Sequence, residues 1–362
     1  MTRLSAEGIS VAVTAACGML EGLVVERGGR RIAPLHRAPW VGRSGEAPAD
    51  AAAHLAVLEG DFFCAPFGLT DEEGVPAHGW PANGAWRDAS RETAPNGAVT
   101  ARFELAETVR GARVMKEITL RPGHPVVYQR HVLTGGHGAI PLAHHAMIHV
   151  PGGARLSFSP KDFGGTPETP PESDPARGRS ILAYPQRFDD LEAVALADGA
   201  TRDLRRYPCE EGHEDFLTLF DPPAAQFGWS AAVAAADGFI FFAVKDAQAL
   251  TQTSLWMSNG GRHYAPWSSR HLAVLGIEES TTHFGDGRLA AEAPNDLSRA
   301  GYRTAVPLSG EVVVRYALGA IPAPDGWSEI ASITLGDGRL TLADSGGATE
   351  AAPFDTDFFG EA

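Results

Sequence analysis

The chain has 362 residues, with 45 acidic against 30 basic side chains, a formal charge of −15 and a hydrophobic fraction of 44%. That composition supports a sizeable buried core and excludes the clustered basic face that a nucleic-acid binder needs. Lysine occurs only at Lys116, Lys161 and Lys245, so neither nucleic acid nor an anionic membrane surface is an expected partner.

At the N-terminus an apolar run, Ile9 to Ala16, ends at Cys17-Gly18 and is followed by Met19 to Val25. Glu7 stands where a signal peptide wants positive charge, and the run is at the short limit for an h-region. The segment therefore reads as strand, turn and second strand. No stretch reaches the roughly 18 apolar residues of a membrane helix, so a cytoplasmic location is expected. Further strands are predicted at Ala53–Leu58, Val99–Glu107, Ala112–Leu120, Val126–Thr134, Leu142–Val150, Gly238–Val244, His271–Gly276 and Glu311–Leu318. They are separated by heavy punctuation from 41 Gly and 26 Pro, as in a turn-rich all-β protein. Ser159 to Arg179 is rich in Pro, Gly and acids with little to bury, and reads either as a linker or as a long surface excursion. Strand signals alike on both sides favour one β-sandwich domain over residues 1–350, with a tail at 351–362. Cys17, Cys64 and Cys209 are odd in number and widely spaced, which suggests neither a disulfide framework nor a zinc site.

Three clusters could carry chemistry. The first is the loop Pro76-Ala77-His78-Gly79-Trp80 to Trp86-Arg87, where an imidazole and indole faces would suit a sugar ring or simply pack. The second is His144-His145-Ala146-Met147-Ile148-His149. In a strand His145 and His149 share a face but lie roughly 13 Å apart, too far for one metal, and His144 points the other way. One histidine facing a pocket is the better reading. The third is Leu275-Gly276-Ile277-Glu278-Glu279, where alternation allows at most one carboxylate to serve a pocket. Such a pair at a strand end usually marks a solvated sheet edge. Upstream, Trp256, Arg262 and their neighbours again suit a polyhydroxylated ligand. No nucleotide fingerprint, P-loop or GxSxG elbow is present.

In this order the clusters resemble the aldose 1-epimerase (galactose mutarotase) superfamily. The matching pieces are His78-Gly79 with Trp86, Leu142-Ala143-His144-His145-Ala146, and Leu275-Gly276-Ile277-Glu278, with Gly60 to Gly68 at the place of an early Pro loop. Phe67-Gly68-Leu69-Thr70 stands where the family often has an Asn-Arg pair, and Glu279 where a Pro usually follows the catalytic Glu, so the resemblance is to a divergent member. It implies a large antiparallel β-sandwich, the supersandwich, with a sugar in a groove on its concave face. It further implies interconversion of α and β anomers, with Glu278 as base, His145 as acid and His78 binding the sugar. Trp86, Arg87, His144, Trp256 and Arg262 are the candidate sugar contacts. No metal or organic cofactor is expected, the partner is a small-molecule sugar, and the chain is expected as a monomer or homodimer. A catalytically silent sugar-binding or regulatory protein on the same fold is the alternative, and a lyase or hydrolase a further one.

Overall fold

In Ala112–Leu120 every second residue is buried, which puts Ala112, Val114, Lys116, Ile118 and Leu120 on one face and polar or exposed side chains on the other. This strand belongs to a nine-stranded sheet in a computed structural model that describes residues 1–69 and 71–360. Across that sheet the order is Arg206–Tyr207, Ala154–Phe158, Phe227–Ala234, Phe239–Asp246, Glu311–Pro322, Val126–Gly135, Ala112–Leu120, Val99–Leu105 and Trp86–Thr93. A seven-stranded sheet packs against it. Its order is Arg187–Phe188, Phe163–Gly165, His213–Phe220, Gln252–Asn259, Val274–Thr281, Leu142–His149 and Phe63–Cys64. Strand pairs in both sheets are antiparallel. Leu217, Leu255, Ile277 and Ala146 from the smaller sheet join Val114, Leu133, Phe241 and Leu318 from the larger in one apolar core. The fold is a large antiparallel β-sandwich.

The N-terminal residues form the expected strand, turn and strand, within a four-stranded sheet of Thr2–Ala6, Ile9–Val13, Leu20–Arg27 and Arg30–Ile32. Ala53–Leu58 departs from expectation. It is a helical turn, Ala53–Ala56, whose His54 amide and ring both contact the side-chain oxygen of Asn83. A six-residue, mostly apolar run containing four Ala or Leu fits either geometry, and the tertiary partner decides. The expected strand at His271–Gly276 is shifted to Val274–Thr281, so Glu278 and Glu279 lie inside it and both are buried, not on a solvated edge. Alternation still sends them to opposite faces.

Both sheets take strands from before and after Ser159–Arg179, and that segment contains the strand Phe163–Gly165. Near the C-terminus, Ser332–Gly336, Arg339–Ala343 and Thr349–Pro353 make a small meander. Ile333, Leu340, Leu342, Ala352 and Phe354 cover Val126, Tyr128, Ile240 and Phe242 on the outer face of the nine-stranded sheet. Residues 351–360 of the expected tail thus pack. Their amide at Asp355 donates to the Tyr128 hydroxyl at 2.8 Å, and Phe354 and Phe358 ring centroids lie 5.3 and 5.1 Å from Tyr128. Glu361 and Ala362 lie outside the described residues. Phe354→Ala should cost about 3–5 kcal/mol of unfolding free energy, measured by urea denaturation, because it empties a buried aromatic site.

Candidate active site

Register builds the floor of the site. On the outer face of the seven-stranded sheet His145 stands opposite Glu278, and Trp256 opposite both Phe216 and Gly276. Gly276 is required by close approach: a Cβ there would sit 2.7 Å from Glu278 Oε1 and 3.1 Å from Trp256 Cβ. The cavity above this floor has a volume of about 310 Å³, within the range of small-molecule sites. Its walls are mostly apolar (Leu55, Leu58, Phe62, Phe67, Trp267, Phe284), with His54, His78, His145, Arg262, Glu278, Asp286 and Thr169 as polar groups.

His78 enters from the turn before the short helix Gly79–Asn83. Both His78 and Gly79 adopt left-handed backbone, with φ of 63° and 72°. Glycine at 79 is compelled, since a Cβ would come within 2.0 Å of the Ala65 carbonyl oxygen. A left-handed histidine costs conformational energy and marks a constrained position. The ring lies 5.3 Å from that of His145 and 5.0 Å from that of His54, with Nδ1 at 3.5 Å from Cys64 Sγ. His145 stacks on Phe62 at 4.5 Å.

His145 Nε2 and Glu278 Oε1 are 3.1 Å apart. Burial pushes the Glu278 carboxyl well above its ordinary range. Burial first, then the neighbouring His54, lowers His145 to about 3. His78 is also driven well down, by burial and then by His54, His145 and Arg262. Both shifts favour the uncharged forms of the pair over a charged salt bridge, with one proton between His145 Nε2 and Glu278 Oε1. Glu278 Oε2 and His145 Nδ1 are buried without a hydrogen-bond partner. Two coupled groups that share one proton can give a proton at one atom and take one at another.

Arg262 closes one side. Its Nε is 2.9 Å from Glu172 Oε1 and its Nη1 3.3 Å from Glu214 Oε1, while its guanidinium lies 4.8 Å from the Trp267 ring. Tyr264 also donates to Glu172 at 2.6 Å, and Trp256 Nε1 and Ser258 Oγ donate to Glu214 at 2.5 and 2.8 Å. The guanidinium is thus held between two carboxyl groups.

Of the residues singled out in the sequence, His78, His145, Glu278, Trp256 and Arg262 line this cavity. Three others do not. Trp86 is buried elsewhere, its Nε1 donating to Pro81 O at 2.9 Å and its ring beneath the Lys116 ammonium at 4.5 Å. Arg87 is exposed on an edge strand opposite Glu104. His144 faces the sandwich interior by alternation, 3.1 Å from Asp61 Oδ2 and stacked on Tyr316 at 4.2 Å. Phe67, Gly68 and Leu69 line the cavity, and Thr70 lies outside the described residues. His54 and Glu172 were invisible in the sequence: one sits in an apolar run, the other in the segment read as having little to bury. That segment in fact supplies Pro167, Thr169, Pro170 and Pro171 to the cavity wall. Among the described residues, no group of three or more His, Cys, Asp or Glu is placed to hold a metal ion, and no helix is long and apolar enough to cross a membrane.

No protein-family profile and no curated relative matches the chain. Solved structures do. An aldose epimerase homologue from C. elegans is 10% identical with a TM-score of 0.55, over 89% of this chain and 98% of that one. A galactose mutarotase-like protein from Lactobacillus casei is 10% identical with a TM-score of 0.53, over 89% and 100%. A galactose mutarotase related enzyme from Lactobacillus acidophilus is 8% identical with a TM-score of 0.50, over 90% and 98%. The likeness at these identities is one of fold, and it extends over most of the chain.

Proposed function

We propose that this chain, with its galactose mutarotase-like supersandwich fold, is an aldose 1-epimerase-like isomerase that interconverts the α and β anomers of a sugar. The observation that carries this reading is the buried, proton-sharing Glu278–His145 pair on the cavity floor. Mutarotation needs one proton removed from the C1 hydroxyl and one delivered to the ring oxygen. Glu278 takes the first and His145 gives the second. The C1–O5 bond breaks, the C1 carbonyl rotates, and closure on its other face returns both protons. A sugar hydroxyl donating to Glu278 Oε2 would favour the carboxylate and shift the shared proton to His145. His78 hydrogen-bonds the sugar, and the Trp256 and Trp267 faces suit its C–H faces.

The sugar is a neutral one. Arg262 is the sole Lys or Arg among the cavity-lining residues, and Glu172 and Glu214 already engage it, so a phosphate or carboxylate would have to compete for its donors. A sugar-binding protein without turnover is the second reading, favoured by the apolar Phe67-Gly68-Leu69 wall. Two-dimensional exchange NMR on neutral, acidic and phosphorylated aldoses tests both. Cross-peaks between anomers that grow with protein, for neutral sugars, are expected. Saturable binding with no exchange would replace the isomerase by the binder.

A further inference from the structure

Away from the cavity, three side chains are arranged as a nucleophile, a base and an orienting carboxylate. Cys209 Sγ is 3.8 Å from His213 Nε2, and His213 Nδ1 is 2.7 Å from Asp215 Oδ2. We propose that Cys209, His213 and Asp215 form a second reactive site, in which the Cys209 thiolate is oxidised by hydroperoxides to a sulfenic acid.

The orienting group is firmly held. Besides His213, Asp215 accepts from the backbone amides of Ile181 and Leu182 at 3.1 Å and from the Tyr184 hydroxyl at 2.9 Å. Held by those donors, the Asp215 carboxylate accepts from His213 Nδ1 and aims Nε2 at the sulfur. Burial opposes charge on His213, but its contacts with Asp215 and Cys209 outweigh burial and raise it to about 9. An imidazolium beside a thiol stabilises the thiolate. The remaining charges nearby are largely paired with each other: Glu210 bridges Arg179 at 2.7 Å and Arg202 at 3.4 Å, and Glu214 lies on the opposite face of the strand against Arg262.

The other two thiols lack this setting. Burial raises Cys17 to about 11 and pushes Cys64 well above the ordinary range. Cys64 does touch His78, but that imidazole is held neutral by burial and cannot act as a cation. Only Cys209 of the three is partly exposed.

In the reaction the thiolate sulfur attacks the terminal oxygen of R–O–O–H. The S–O bond forms as the O–O bond breaks, sulfur loses two electrons and the peroxide gains them. The departing alkoxide takes the proton from His213 Nε2 and leaves as an alcohol, or as water from hydrogen peroxide. Cys209 is left as S–OH.

Iodoacetamide labelling at pH 6, read by peptide mass mapping, separates activation from simple exposure. An ordinary thiol with a pKa of about 8.5 is roughly 0.3% thiolate at that pH. A thiol that passes its proton to an adjacent imidazole gains thiolate at that pH, of which lower basicity gives back part. Native Cys209 should therefore label about tenfold faster than the same residue in the urea-unfolded chain. Hydrogen peroxide with dimedone should trap one sulfenic acid, at Cys209, and His213→Gln should abolish both effects. Native labelling slower than unfolded labelling, no dimedone adduct, or a folded His213→Gln variant with unchanged rates would each overturn the proposal. If that variant does not fold, the native-to-unfolded ratio of the wild type decides alone.

Discussion

Glu278→Gln should lower anomer exchange by about 10²–10⁴-fold, the contribution of a positioned acid or base. The substitution keeps the shape and one hydrogen-bonding oxygen but removes the titrating proton. Stability should move the other way. The folded-state pKa of Glu278 is raised by burial, so above the unfolded carboxyl's pKa the unfolded chain releases a proton that the native chain retains. Native stability therefore falls as pH rises from that point toward the folded pKa, and Gln escapes the loss. The variant should be at least as stable as the wild type at pH 7, with the difference shrinking below about pH 4. His145 behaves oppositely: its lowered pKa means that stability is lost as pH falls below the ordinary imidazole value toward about 3. Exchange NMR and urea denaturation at pH 4 and pH 7 measure both. A Gln variant that retains exchange removes Glu278 from the chemistry, whatever the fold does.

The residues that converge at this site are far apart in the chain, yet part of the convergence was legible. Alternation in the Leu142–His149 and Val274–Thr281 strands separates His144 from His145 and Glu279 from Glu278, and one member of each pair faces the cavity. Which member does so depends on which face meets the second sheet, and a single strand does not carry that information when both its faces are buried. Trp86 and Arg87 were drawn in by proximity to His78 in sequence, but the helical turn Gly79–Asn83 ends the loop and the chain leaves along an edge strand. Glu172 was lost for the converse reason. Its neighbours are polar or proline, so nothing local shows that Arg262, 90 residues on, will bury it. The C-terminal meander was locally legible as well: polar and apolar residues alternate in Ser332–Leu335 and Arg339–Leu342 on either side of Asp337-Gly338, a hairpin pattern that is not among the predicted strands.

Lys245→Met should cost about 3–5 kcal/mol, far more than a typical substitution, because it strips one charge from a buried balanced set. Lys245 Nζ lies 2.6 Å from Glu279 Oε2 and 2.8 Å from Asp221 Oδ2, and donates to the Gln252 carbonyl at 2.6 Å. Lys161 pairs with Asp221 and donates to Thr253 Oγ1 at 2.9 Å, while Ser230 and Thr253 hydroxyls donate to Glu279. Two cations thus face two carboxylates. Burial pulls Lys245 down, but Asp221 and Glu279 outweigh it and hold the ammonium charged; Asp221 is likewise held low against burial by Lys161 and Lys245. The wild type should keep the Asp221 contribution above the ordinary Asp pKa and lose it as pH falls through the depressed folded value. Lys245 comes from the nine-stranded sheet and Glu279 from the seven-stranded one, so the pair ties the two layers at the residue next to Glu278. Removing Lys245 alone leaves one carboxylate in excess. Removing both partners, in K245M/E279M, leaves Lys161 with Asp221 and fills the space with apolar groups, so most of the loss should be recovered. Urea denaturation of the two single variants and the double at pH 7 gives the coupling directly. Single variants that each lose under about 1 kcal/mol would mean that the charges are not desolvated as a set. Because the double variant keeps the apolar packing between the sheets, its anomer exchange should stay close to wild type, which separates the role of Glu279 from that of the neighbouring Glu278.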